Sequence, residues 1–157
     1  MKRILLVTCL GLLVLQAASV AGTQPQTQTF EEAFKAGDLA LSNGQYTEAI
    51  QHYRRALASH PQHAQARFQL ATAYREASRY YEARRNFRLA LNANARDRAW
   101  ESQCRLQIAG CWEATHHYRE ALAEYRLALA ADASSDQAKS GQKRTVALVH
   151  GPVNHSK

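Results

Sequence analysis

Proline and glycine are scarce: three and seven in 157 residues. A chain so poor in turn formers does not read as a turn-dense β-sandwich. Acidic residues are also in deficit, 13 against 20 Lys plus Arg, for a formal charge of +7. No Gly-rich phosphate loop, Ser-His-Asp arrangement or paired-carboxylate motif is present, so the usual signatures of enzymatic chemistry are missing. Cysteine occurs three times. What the chain does have is 46 % hydrophobic residues, too many for a disordered chain. Ala, Arg, Leu and Gln dominate, and all four favour helices. The length suits one ordinary domain, and the class expected is all-α.

The N-terminus reads as an export leader over residues 1–21. Met1-Lys2-Arg3 is basic, Ile4 to Leu15 is apolar, and Ser19-Val20-Ala21 supplies the small-x-small pattern of a cleavage site. The apolar core of about 12 residues falls short of the roughly 20 that span a bilayer. Cys9 lies inside the apolar run rather than after it, which excludes a lipoprotein signal. The expected location is the periplasm, with an inner-membrane protein held by an uncleaved leader as the alternative. Export makes nucleic acid an unsuitable partner despite the charge. It also leaves Cys104 and Cys111 in an oxidising compartment. Seven residues apart on one helix, their Cα atoms would stand about 10.5 Å apart, whereas a disulfide needs less than about 7 Å. They are therefore two core-facing thiols or the ends of an intermolecular bridge.

The rest of the chain repeats itself. Tyr46-Thr47-Glu48-Ala49, Tyr80-Tyr81-Glu82-Ala83 and Tyr118-Arg119-Glu120-Ala121 share the pattern Tyr-x-Glu-Ala. Four residues after each Ala comes an aromatic (Tyr53, Phe87, Tyr125), then an Arg (Arg54, Arg88, Arg126), then Ala-Leu. Steps of three and four keep Ala49, Tyr53 and Ala56 on one helical face. The small residues admit a close neighbour and the ring fills the groove between helices. An upstream helix precedes each, with Gly37, Ala71 or Ala109 as its small residue. Asn43-Gly44, Ser78-Arg79 and His116-His117 are the expected turns between the two. No single pair can bury its own apolar face, so the pairs must stack.

These residues resemble the tetratricopeptide repeat (TPR) family, over 30–63, 64–97 and 102–135. The resemblance implies a right-handed α-solenoid of three helix-turn-helix units. The family's terminal proline is kept at Pro61 and replaced by Ala95 and Ala133. Residues 98–101 break the period and should lengthen one helix by a turn. Thr23 to Thr29 reads as a polar linker within 22–29. Ser134-Ser135-Asp136 should start a capping helix over 136–149, with Lys143 and Arg144 towards solvent and Gly141 as its weak point. Residues 150–157 read as a tail.

The family resemblance places recognition on the concave face formed by the first helix of each unit. One-per-turn spacing there gives Phe34 and Asp38, then Phe68, Thr72 and Arg75, then Leu106 and Gln107. Phe34, Phe68 and Leu106 share one repeat position and are expected to form an apolar row for a partner peptide. The family mode that clamps a C-terminal carboxylate is not expected, because Phe34, Asp38, Gln69, Gln103 and Gln107 stand where its cations and amides would be. Arg54, Arg55, Arg84, Arg85 and Arg88 form a candidate basic ridge on the convex side. His116-His117 with the two cysteines lacks the spacing of a metal site. No catalytic residue, metal or cofactor is expected.

The leading expectation is a non-enzymatic adaptor that binds a segment of a cell-envelope protein. The alternatives are a homo-oligomeric scaffold built by stacking solenoid ends, and a charge-driven binder of anionic polymer or lipid with at most peripheral membrane contact.

Overall fold

The computed structural model describes residues 29–151. The leader, nearly all of the 22–29 linker and the tail beyond Gly151 lie outside the described residues. Seven helices and no strand occur among the described residues: α1 (Phe30–Ser42), α2 (Tyr46–Ser59), α3 (Ala64–Glu76), α4 (Tyr80–Ala93), α5 (Arg98–Ala114), α6 (Tyr118–Ala131) and α7 (Asp136–His150). None is long and apolar enough to cross a membrane.

Caps set where the first helices begin. Thr29 and Glu32 form a reciprocal capping box on α1. His63 Nδ1 accepts the Ala66 N–H on α3, Asp97 accepts the Trp100 N–H on α5, and Ser135 accepts the Ala138 N–H on α7. The second helices have no side-chain cap and instead begin directly after a tight turn. In all three turns one residue takes a left-handed backbone: Gly44 at φ 73°, Ser78 at 58° and His116 at 59°. The next N–H then reaches back to a carbonyl five residues earlier, Gln45 to Ala40, Arg79 to Tyr74 and His117 to Trp112. The three expected turns are one turn made three times.

Packing follows the small-aromatic-small pattern. Tyr53, Phe87 and Tyr125 are 0, 0 and 3 % exposed, and the flanking Ala49, Ala56, Ala83, Ala90, Ala121 and Ala128 are all fully buried. Gly37 marks the closest approach in the first pair, since a Cβ there would fall 2.6 Å from Tyr53 Cε1. Each ring hydroxyl finds a carboxylate. Tyr53 donates to Asp38 at 2.6 Å and Tyr125 to Glu113 at 2.7 Å. In the middle unit Phe87 has no hydroxyl, and Thr72 replaces the acid at the position of Asp38.

Residues 98–101 become the first turn of α5, at 17 residues the longest helix among the described residues. That extra turn supplies Trp100, whose Nε1 donates to the Ala90 carbonyl at 2.9 Å and whose ring lies 5.2 Å from Phe68. The irregular spacing thus seals the junction between α3, α4 and α5.

One expectation about α7 is corrected. Gly141 is not its weak point, because a Cβ there would sit 2.4 Å from the Tyr125 ring. The missing side chain is what lets α7 lie against α6. Arg144 is exposed as expected and also bonds Glu113 of α5, with Nε and Nη2 each 2.7 Å from a carboxylate oxygen. Gly141→Ala should therefore cost about 1–3 kcal/mol by overpacking. Gly110→Ala, with nothing within 4 Å of its Cβ, should gain about 0.5–1 kcal/mol. Denaturant unfolding of the two variants measures this contrast, and equal shifts would contradict it.

Candidate functional site

On one side of the stack the first helices meet, α1 reaching α3 and α5 reaching α7. In the expected solenoid that side is the inner, concave face, and α7 extends it as a fourth first-type helix. A cleft of about 460 Å³ opens there between α5 and α7. Leu106 and Gln107 line one wall, Gln137, Ser140 and Arg144 the other, and the buried Tyr125 lies at its base. Steps of three and four place 137, 140 and 144 on one face of α7.

Glu113 holds the cleft together. Its side chain is only 14 % exposed and takes both Arg144 nitrogens and the Tyr125 hydroxyl, joining α5, α6 and α7. The Arg144 hydrogen bonds hold its acid below the ordinary carboxylate value, against an opposing push from burial. The Tyr125 phenol is driven up, first by burial and then by its bond to Glu113. Arg75 of α3 donates to Gln107 of α5 and pairs with Glu76 at 2.6 Å. This link runs along the concave face from the second unit to the third.

The expected groove residues divide. Leu106, Gln107 and Arg75 come together on the concave face. The apolar row does not form as a surface. Phe68 is 8 % exposed, edge-on to Phe87 with ring centres 5.1 Å apart, and it belongs to the core. Phe34 is half-buried with its ring between Phe30, Tyr53 and His63. These rings turn inward because the stacked units bury that repeat position. Asp38 is engaged by Tyr53, and Thr72 donates back to the Phe68 carbonyl at 3.0 Å. The α7 wall was missed as a binding surface. The three-four spacing after the Ser135 cap was its only signal.

The basic ridge also divides. Arg84 leaves it, its guanidinium 3.6 Å above the centre of the Trp112 ring. Burial lowers the Arg84 pKa from the usual arginine value. Arg88 pairs with Glu124 at 3.8 Å. Arg54, Arg55 and Arg85 are exposed and have no ion pair among the described residues.

Cys104 and Cys111 are both free and 0 % exposed. Burial pushes the two thiols up to about 12 and about 11. An intermolecular bridge would require α5 to leave the stack. Three of the histidines pack on aromatic rings. His60 and His63 pack on Phe30, and His117 packs on Trp112. Among the described residues no group of three or more His, Cys, Asp or Glu is arranged to hold a metal.

Comparison with known proteins gives a consistent fold. A family described as surface lipoprotein assembly modifier, N-terminal TPR repeats, matches residues 21–87. Among solved structures, the Arabidopsis OM64 TPR domain is similar at a TM-score of 0.68 and 22 % identity, covering 76 % of this chain and 96 % of that one. The first TPR of Spaghetti (RPAP3), bound to the HSP90 peptide SRMEEVD, gives 0.69 and 19 %, covering 82 % and 99 %. The TPR2B domain of yeast Sti1, in a complex with pHsp70, gives 0.61 and 19 %, covering 77 % and 93 %. No curated protein matches the chain significantly.

The Glu113 cluster predicts a pH dependence. A carboxyl whose folded pKa is depressed stabilises the fold above its unfolded value near 4.5 and loses that contribution as pH falls through the folded value. Arg144 is 57 % exposed, so water screens part of the pair. Glu113→Gln should cost about 1–2 kcal/mol at pH 7, and the gap to wild type should close on acidification below that range. Urea midpoints of both proteins from pH 7 to pH 3 measure it. A gap constant across that range would refute the role of the charge.

Proposed function

We infer that this tetratricopeptide-repeat protein is a non-enzymatic interaction module that binds a segment of a cell-envelope protein along its concave face. The observation that carries this reading is the cleft between α5 and α7, with an apolar wall at Leu106 and polar groups at Asp136, Gln137 and Ser140. Such a surface offers one apolar anchor point and several hydrogen-bond partners, the combination that fixes a peptide in register. Solved structures of the same fold include domains in complex with peptides from HSP90 and HSP70, which supports peptide binding as a use of this architecture. The leader-like N-terminus supports export. The matched family's description as a surface lipoprotein assembly modifier supports an envelope setting.

Because Asp38 is engaged by Tyr53, Thr72 by the Phe68 carbonyl and Arg75 by Glu76 and Gln107, the first two units offer few free groups on this face. Binding therefore centres on the third unit and α7. A photocrosslinking amino acid placed at Gln107 or Gln137 should trap one envelope protein through a single segment, identified by mass spectrometry. The same group at Arg55 or Arg126 on second helices should trap it at least about tenfold less. Equal trapping from both sides, or trapping of the protein only by itself, would sink the concave-face reading.

A further inference from the structure

The repeat lets one junction be read against the next. In the second junction Arg88 of α4 and Arg105 of α5 both reach Glu124 of α6, at 3.8 and 3.3 Å. The chain places its own carboxylate between two arginines. Moved back by the repeat offsets of 34 and 38 residues, those positions become Arg54 of α2, Arg67 of α3 and Asn86 of α4. Both arginines persist in the first junction, and the acid is replaced by a neutral amide.

The first junction has the shape of a site. A depression of about 420 Å³ is lined by Arg54, Arg67, Arg85 and Asn86, with Leu57 and Tyr74 beside them. Arg67 is anchored through Nε to the Pro61 carbonyl at 2.8 Å, leaving its two terminal nitrogens for another acceptor. Asn86 is held by donating to the Glu82 carbonyl at 2.9 Å. None of the three arginines has an ion pair among the described residues, whereas the second-junction counterparts of Arg54 and Arg67 are paired within the chain; Arg85 corresponds to Ala123 and is an added cation of the first junction. Arg67 and Tyr74 stand on α3 about opposite Thr72 and Glu76 at 100° per residue. The depression is therefore on the convex side, away from the α5–α7 cleft.

We propose that the first-junction depression is a second binding site, which takes an Asp or Glu side chain from an acidic segment of a partner protein between Arg54, Arg67 and Arg85. The occupant follows from charge complementarity and from the second junction, where the two equivalent arginines, Arg88 and Arg105, already hold a carboxylate. Arginine pairs of this kind favour planar carboxylates. The site does not depend on the concave-face reading.

The test installs the missing acid. Asn86→Glu rebuilds the second junction's arrangement in the first and fills the site from within. A fluorescent acetylated hexaglutamate peptide is titrated against the full protein at low salt. Wild type should bind it, and Asn86→Glu should weaken binding at least about tenfold, or about 1.4 kcal/mol. Arg54→Gln, which needs no new contact to fold, should weaken it similarly. Arg126→Gln removes the same unit of charge from α6 outside the depression and should change binding less than about twofold. Equal losses in all three variants would show diffuse attraction and overturn the proposal. So would no binding by wild type, displacement of the peptide by equimolar inorganic phosphate, or wild-type self-association that Asn86→Glu abolishes.

Discussion

Everything in this molecule depends on how closely its helices approach around a buried ring. Tyr53 and Tyr125 each sit between alanines of their own helix and a glycine of a neighbour, and Phe87 sits between its own alanines and the Phe68 ring. Removing such a ring from water contributes on the order of 2–3 kcal/mol. The larger consequence is geometric. A ring wedged against backbone fixes the separation of two helices, and three such wedges fix the curvature of the stack. The concave cleft and the convex depression are both spaces left over once those distances are set.

The ring hydroxyls show how a structural need becomes a feature of the surface. A buried phenol requires an acceptor, and the first unit supplies it with Asp38 and the third with Glu113. Glu113 also recruits Arg144, so one carboxylate satisfies the core and binds α7 at the same time. The middle unit uses Phe87 and needs no acid, which leaves the concave side there to Thr72, Arg75 and Glu76. Charge on the inner face is thus distributed by the hydroxyl pattern of the core.

Much of the fold was legible because repetition multiplies weak signals. One Tyr-x-Glu-Ala followed by a ring proves little, but three copies at offsets of 34 and 38 fix helix faces, turns and stacking together. Residues 98–101 were readable as an added turn, though not as the carrier of Trp100 that closes over Phe68. The site was less legible. Phe34, Phe68 and Leu106 share a repeat position, yet only Leu106 lines the cleft, while Phe68 packs on Phe87 and Trp100 and Phe34 on Phe30 and His63. Spacing gives a residue's direction from its own helix but not the distance to the next helix. The same limit applies to Gly141, which reads as a helix breaker until Tyr125 is seen against it, and to Arg84, which reads as ridge until Trp112 is seen beneath it.

If the rings set the spacing of the whole stack, Phe87 is the most informative to perturb, since it touches Phe68 of α3, which in turn touches Trp100 of α5. Native-state amide hydrogen exchange of wild type and Phe87→Leu, resolved by helix, tests this directly. Protection should fall together in α3, α4 and α5. Loss confined to α4, with its neighbours unchanged, would mean that each ring stabilises only its own helix and that the clefts do not depend on it.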